Sequence, residues 1–270
     1  MFKTATNIIK GVLRGRKREK HNFPQIGWAQ EKILKHQEDR LTKQLQLGKL
    51  TLYYKRPYEL LHSYREIFEE EIYRFDSDKK EPVIFDCGSN IGLSVLYFKQ
   101  LYPQARVIAF EPDPNNFHLL QQNAEKNKLS NLELHQAAVW TRDGSISFAA
   151  NESEASHISE TAGDNQVSAR DLNALLAPER EVDFLKMDIE GAEAEVIPHI
   201  REQLPKIHHL FLEYHGKVEE TEKLNRLMLL LQEAGFQVYI RNAADNLRHP
   251  FVEKRTHTIY DVQLNLFCYK

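Results

Sequence analysis

The amino-acid sequence predicts an α/β protein: a doubly wound, mostly parallel sheet covered on both faces by helices, over residues 81–270, preceded by a helical extension over residues 1–80. Three observations carry this. After Pro82, short apolar runs alternate with helical stretches, the rhythm of repeated strand–helix–strand units. The runs Val83–Cys87 and Val107–Phe110 are too short for helices and suit buried strands. Before Pro82 the apolar spacing is three and four residues, with little strand signal.

Taken in order, Leu61, Tyr64, Phe68, Ile72 and Phe75 recur at helical spacing while Glu66, Glu69, Glu70 and Arg74 fall elsewhere on the wheel. Asp76 to Pro82 ends that helix with polar residues and a proline. Val83–Cys87 is the first strand, followed by a helix from Ile91 to Leu101. Val107–Phe110 is the second, followed by a helix from Asn115 to Lys126. Leu132–Val139 alternates as a third strand, and Arg142-Asp143-Gly144 reads as a turn whose returning strand is Ser145–Phe148. Val182–Met187 and His209–Tyr214 are two further buried strands, with a helix over 192–204 that Pro198 should kink or shorten. A helix over 220–234 closes on Gly235, and Phe236–Ile240 and Val262–Tyr269 finish the chain as strands.

Composition narrows the class. The 41 % hydrophobic and 28 % charged content over 270 residues is that of a globular protein. A net charge of -3 gives no general attraction to nucleic acid. Lys3, Lys10, Arg14, Arg16, Lys17, Arg18 and Lys20 crowd the first twenty residues against a single acid, Glu19. A solvated helix end is the simpler reading, and weak peripheral contact with anionic lipid is the alternative. Cys87 and Cys268 read as two buried free thiols. No apolar run approaches a membrane span or a secretory segment, so the cytoplasm is the expected compartment.

Ligands of such sheets sit beyond the carboxyl ends of the strands. The loop Asp86-Cys87-Gly88-Ser89-Asn90-Ile91-Gly92 joins the first strand to its helix. Gly88 permits close backbone approach to a ligand, and Gly92 permits close helix packing or further ligand room. Glu111 follows the second strand, where a carboxylate can accept from a ribose diol, with Pro112 beside it. The dinucleotide fingerprint requires a glycine where this sequence has Asn90. That substitution suits a nucleoside without pyrophosphate, carrying an amino-acid end that Asp86 serves directly or through water. Gln136, Ala138 and Val139 at the end of the third strand offer one amide and backbone groups for an adenine.

At this point the residues resemble a known family. Asp86-x-Gly88-x-Asn90-x-Gly92, Phe110-Glu111-Pro112, Leu185 through Glu193 (LKMDIEGAE) and Phe211 through Gly216 (FLEYHG) together look like the FkbM family of class I methyltransferases. The resemblance covers Tyr58 to Leu231, and Lys186-x-Asp188-x-Glu190-Gly191-x-Glu193 is its most specific part. It implies a seven-strand Rossmann-like fold, S-adenosylmethionine, and O-methylation of a hydroxyl on a sugar, glycan, lipid or polyketide-like acceptor. The third strand, ending on Gln136 to Val139, lacks the acid of the general class I pattern.

Methyl transfer to a poor nucleophile such as a sugar hydroxyl needs a positioned base or a metal. The ends of the fourth and fifth strands supply Asp188, Glu190, Glu213 and His215. His215 is the first candidate base, because its ordinary pKa lies near working pH. Asp188 or Glu213 would orient it or bind acceptor hydroxyls, and Asp188 also lies close enough for the cofactor. Glu190 and His157 are candidates for contact with the acceptor. Asp188 and Glu190 precede Gly191 at a helix start, where acids also cap free amides, and Glu193 reads as a cap or ion-pair partner. This oxygen-rich set could hold Mg²⁺, although no spacing in the sequence singles out a metal. Phe23, Trp28, Tyr53, Tyr54 and Tyr58 read mostly as packing, within a segment able to act as a lid.

Two other readings compete: a nicotinamide-dependent oxidoreductase, which Asn90 opposes, and a non-catalytic scaffold that binds S-adenosylmethionine. Nucleic-acid methylation finds no base-holding motif and no broad basic domain.

Overall fold

The computed structural model describes residues 23–149, 157–159, 166–247, 249–252 and 259–270, with the side chains of 148, 149 and 157–159 outside that description. The N-terminal segment is not all helix. Helix α1 (Trp28–Lys35) is followed by an antiparallel hairpin of β1 (Lys43–Leu47) and β2 (Leu50–Tyr54), and then by α2 (Pro57–Tyr64). The hairpin departs from the helical reading of residues 1–80. Its two strands are five residues each, and β2 is held by a helix rather than by the main sheet. Asn123 of α4 (Pro114–Lys126) and Asn127, which caps its end, bond the backbone of Tyr53 and Thr51, with Tyr53 N donating to Asn123 Oδ1 at 2.6 Å and Thr51 N to Asn127 Oδ1 at 3.0 Å. Helix α2 is also shorter than its apolar spacing suggests. It runs into a wide turn over Arg65–Glu69, and Glu71 adopts a left-handed backbone with φ 53°. Tyr73 and Phe75 are nonetheless buried, so the apolar pattern reports packing rather than helix.

The main sheet is built from β3 (Val83–Cys87), β4 (Arg106–Phe110), β5 (Leu132–His135), β10 (Val182–Met187), β11 (Ile207–Gly216), β12 (Gln237–Ala244) and β13 (Val262–Tyr269). Its order is β12-β13-β11-β10-β3-β4-β5. Every neighbouring pair is parallel except those of β13, which runs antiparallel to β11 and β12. The expected seven-strand, mostly parallel sheet is therefore present.

Alternate strand residues feed two cores, as a strand's two-residue period requires. Phe85 and Cys87 pack with Leu172 of α5 (Leu172–Leu176), Val196 of α6 (Glu193–His199) and Leu231 of α7 (Thr221–Glu233). Ile84 packs on the other face with Phe98 of α3 (Leu93–Leu101), Tyr64 and Leu52. The N-terminal segment thus closes one face of the sheet with aromatic rings. Phe68 and Tyr97 meet edge to face at 5.6 Å, and Tyr64 stacks on Phe68 at 4.5 Å, contacts worth about 0.5–1.5 kcal/mol each beyond their area.

A second sheet contains β6 (Ala138–Trp140), β7 (Gly144–Ala149), β8 (His157–Ser159) and β9 (Gln166–Asp171), in the order β6-β9-β7-β8. Two expectations are corrected here. The third strand, read as Leu132–Val139, divides between the two sheets, and β7 pairs with β8 and β9 rather than returning on the strand before its turn. Asp143 explains the second point, because its Oδ1 accepts from Asp171 N at 3.0 Å and Arg170 Nε at 3.2 Å, tying the turn to β9. Helix α6 stops at His199, immediately after Pro198, well short of residue 204. No helix among the described residues is long and apolar enough to cross a membrane.

Candidate active site

The outward connections of β3 and β10 leave the sheet in opposite directions, and a cleft of about 480 Å³ opens at the carboxyl ends of these two strands. Gly88, Asn90, Glu111, Pro112, Ala138 and Val139 line one part of it, and Lys186, Asp188, Glu190 and Glu213 another. Arg56, Tyr58, His62 and Glu66 cover it from α2 and the wide turn that follows.

The glycine loop is shaped by its neighbours. Gly88 has φ +86°, and a Cβ there would stand 1.8 Å from the carbonyl oxygen of Asp188, so no side chain fits. Gly88 N and Ser89 N both donate to Phe110 O. Asn90 N donates to Glu111 Oε2 at 2.8 Å, and Asp113 N to Glu111 Oε1 at 2.9 Å. A carboxylate has acceptor capacity beyond two such bonds, which leaves Glu111 able to take hydroxyl donors from the cleft. Burial raises its pKa to about 7, against the opposing pull of those two amides.

Three expected cofactor contacts sit elsewhere. Asp86 is fully buried and does not line the cleft. Its Oδ2 accepts from Ser94 Oγ at 2.5 Å, and its Oδ1 has no hydrogen bond and lies 3.5 Å from Lys186 Nζ. Asp86 thus lies beneath the loop, paired with Ser94 and Lys186, rather than on the cleft lining. Gly92 serves packing, because a Cβ there would stand 2.5 Å from Leu120 Cδ1 of α4. Gln136 is exposed and outside the cleft, while Ala137 takes its expected place beside Ala138 and Val139.

The acidic end is organised around His215. Its side chain is 2 % exposed, and it does not line the cleft. Nδ1 lies 3.4 Å from Oε1 of the fully buried Glu193, while Nε2 lies 3.5 Å from Glu190 Oε2 and 3.6 Å from Glu213 Oε1. Burial works against the charged ring, but the bond to Glu193 and the charges of Glu193, Glu190 and Asp188 prevail and raise its pKa to about 10. These neighbours favour the charged imidazolium, the form that holds a proton rather than takes one. Glu190 and Glu213 line the cleft, and their pKa values rise through burial and the nearby charge of Asp188, with His215 opposing. Glu190 is held in a left-handed backbone, φ 56°, and the Tyr260 hydroxyl donates to its carbonyl. At Gly191, φ +98°, a Cβ would stand 2.4 Å from that same hydroxyl. Glu193 accepts from Ile189 N and Gly191 N, so one carboxylate fixes both the turn and the histidine.

Among the described residues, Asp188, Glu213 and His215 each bring a ligand-type atom within 4.8 Å of the others. This set would suit a divalent ion with a neutral imidazole. Sequence reasoning placed Lys186 in a motif without giving it a site role, and passed over Tyr73, which lines the cleft with it, and Tyr260. The period of β10 puts Lys186 on the same side as Asp188, a signal present in the sequence. Tyr260 lies far along the chain and carried no signal. His157 lies in β8, with its side chain outside the described residues, as is the whole basic segment 1–22.

Residues 86–238, more than half of the chain, match the model of the methyltransferase FkbM domain. The chain belongs to the FkbM methyltransferase family. It is 30 % identical over 165 residues to Methyltransferase 1 of Beauveria bassiana, an alignment covering 52 % of this chain and 66 % of that protein. It is 29 % identical over 159 residues to the 2-O-methyltransferase NoeI of Sinorhizobium fredii, covering 51 % and 65 %. It is 25 % identical over 160 residues to the hexuronic acid methyltransferase AglP of Haloferax volcanii, covering 57 % and 65 %. The chain thus spans just under two thirds of the length of each of these relatives. Membership in this family sets aside the nicotinamide reading.

Proposed function

We propose that this protein transfers a methyl group from S-adenosylmethionine to a hydroxyl of a sugar-containing acceptor, in the cytoplasm. The observation that carries the reading is the placement of Glu213 and Glu190, which line the cleft at the acidic end of the site and flank the charged ring of His215. The cofactor fits the residues present. Gly88 leaves a cradle that a Cβ would fill, and Glu111, already fixed by two amides, can accept from a ribose diol. Ala138 and Val139 give an apolar slot for an adenine.

When bound, S-adenosylmethionine supplies a methyl group on a sulfonium that an incoming hydroxyl oxygen displaces. The chain's own residues handle the hydroxyl. Glu213 in its ionised form takes the proton: burial and the charge of Asp188 raise its pKa to about 8, so the ionised fraction, and with it the rate, grows as pH rises towards 8. Glu190 accepts a neighbouring hydroxyl and orients the acceptor. His215 stays protonated and offsets the charge of the acids around it. Arg56, Tyr58 and His62 roof the cleft and restrict water.

Sugar acceptors are supported by the names of two relatives, a 2-O-methyltransferase and a hexuronic acid methyltransferase. The cytoplasmic reading is supported by Cys87 and Cys268, both buried and unbridged. The test is transfer of labelled methyl from S-adenosylmethionine into fractionated cell extract. Label in a carbohydrate fraction that survives mild alkali is expected, since an ether resists base. Label confined to nucleic acid or protein, or released by alkali as an ester, contradicts the proposal.

A further inference from the structure

Among the described residues, Lys186 is the one cation that lines the cleft beside Asp188, Glu190 and Glu213, and its side chain is 3 % exposed. An ammonium carries three donors. One goes to Gly88 O at 2.7 Å. Asp86 Oδ1 at 3.5 Å and Asp188 Oδ2 at 3.6 Å lie beyond good hydrogen-bond length, and Asp86 Oδ1 makes no hydrogen bond at all. The buried ammonium therefore makes one short hydrogen bond and two longer ion pairs, and keeps donor capacity for a ligand in the cleft. Tyr73, whose ring lies 5.9 Å from Lys186 Nζ, also lines the cleft there.

Charge arrangement says what that ligand group is. Lys186 and Asp188 form a cation–anion pair 3.6 Å apart beside the glycine loop. An α-amino-acid end carries the opposite pair, carboxylate and ammonium, on one carbon. We infer that Lys186 binds the carboxylate of the cofactor's amino-acid end while Asp188 takes its ammonium. This rests on the proposed use of S-adenosylmethionine and adds to it a residue that fixes the cofactor's end. Lys186 also holds the Gly88 carbonyl, so the same ammonium sets the loop and the ligand.

Calorimetry on the full chain tests this with three ligands: S-adenosylhomocysteine, its carboxamide, and 5′-methylthioadenosine, which lacks the amino-acid end. For the wild type, loss of the carboxylate charge should weaken binding about 10- to 100-fold, the range of a hydrogen bond to a charged group. Lys186→Met should weaken S-adenosylhomocysteine by a similar factor, bind it and the carboxamide alike, and leave methylthioadenosine within about twofold. A fall for all three ligands together makes Lys186 a structural support of the loop and overturns the inference. Equal wild-type affinity for the acid and the carboxamide overturns it too, and that arm needs no variant to fold. Wild-type protein that binds none of the three contradicts the use of S-adenosylmethionine itself, a distinct result.

Discussion

The carboxylate of Glu193 and the ring of His215 face each other at 3.4 Å, with side-chain exposures of 0 % and 2 %. Neither belongs to the cleft lining, yet His215 favours the charged form of the two acids that do, against burial and the charge of Asp188. Glu193 fixes Nδ1, and Nε2 is left midway between Glu190 and Glu213. The arrangement explains how several carboxylates gather in one pocket without flying apart: a buried cation sits among them. The proposed proton acceptor is accordingly Glu213, which lines the cleft, rather than the buried ring of His215.

Glu193→Gln should lower methyl transfer about 10- to 100-fold, because His215 loses its anchor and part of its charge. Affinity for S-adenosylhomocysteine should stay within about threefold, since Glu193 does not line the cleft. Single-turnover rates beside calorimetry check this. Equal loss of both would make Glu193 a cap only.

Stability should fall as the solution becomes basic. The folded pKa of His215 lies above its ordinary value of 6.5, at about 10, so its contribution is complete below about pH 6.5 and vanishes as pH rises through 10. Glu190 and Glu213, also raised, act in the same direction over a lower range. Thermal melts from pH 6 to 10.5 should show a falling Tm, and a shallower slope between pH 7 and 10 for His215→Gln. Parallel slopes would remove His215 as the source.

Cofactor affinity should depend on pH through Glu111. A carboxyl with pKa about 7 must be ionised to accept fully from a diol, so affinity for S-adenosylhomocysteine should weaken as pH falls from 8 to 6. Glu111→Gln should bind weakly and lose that dependence. A pH-independent wild type would show that Glu111 does not meet the ribose.

Gly88→Ala combines a left-handed backbone with a Cβ placed against Asp188 O, and should cost at least about 2 kcal/mol. Denaturant titration reads the loss, and ligand binding should disappear with it. Gly144→Ala, with open space at its Cβ, is the control for a positive-φ glycine without a clash.

Much of this was legible beforehand, for a physical reason. The central strands β3, β4 and β10 are apolar and short, strands and helices alternate regularly around them, and Gly88 and Asn90 stand in the loop after β3 with Glu111 directly after β4. The β1–β2 hairpin was not legible, because its strands are brief and pair with asparagines of a distant helix. The ends of β5 and β6 run together in sequence, and only pairing separates them. The same holds in the site. His215 had the right ordinary pKa for a base, but acids from β10's loop, β11 and α6 converge on it and favour its charged form. Asp86 looked like a ligand contact, yet the side chain beneath the loop turned out to meet Ser94 and Lys186. Spacing reveals which side chains share an element, and says little about which of them face away from the ligand.

The most direct measurement compares wild type with Glu213→Gln in labelled methyl transfer to the carbohydrate fraction, with S-adenosylhomocysteine affinity measured on both. The expected result is alkali-stable label for the wild type, a rate about 100-fold lower for the variant, and nearly unchanged affinity, the signature of a lost base. An undiminished rate in the variant would contradict Glu213 as the group that takes the proton, and with it the account of the acidic end of this cleft.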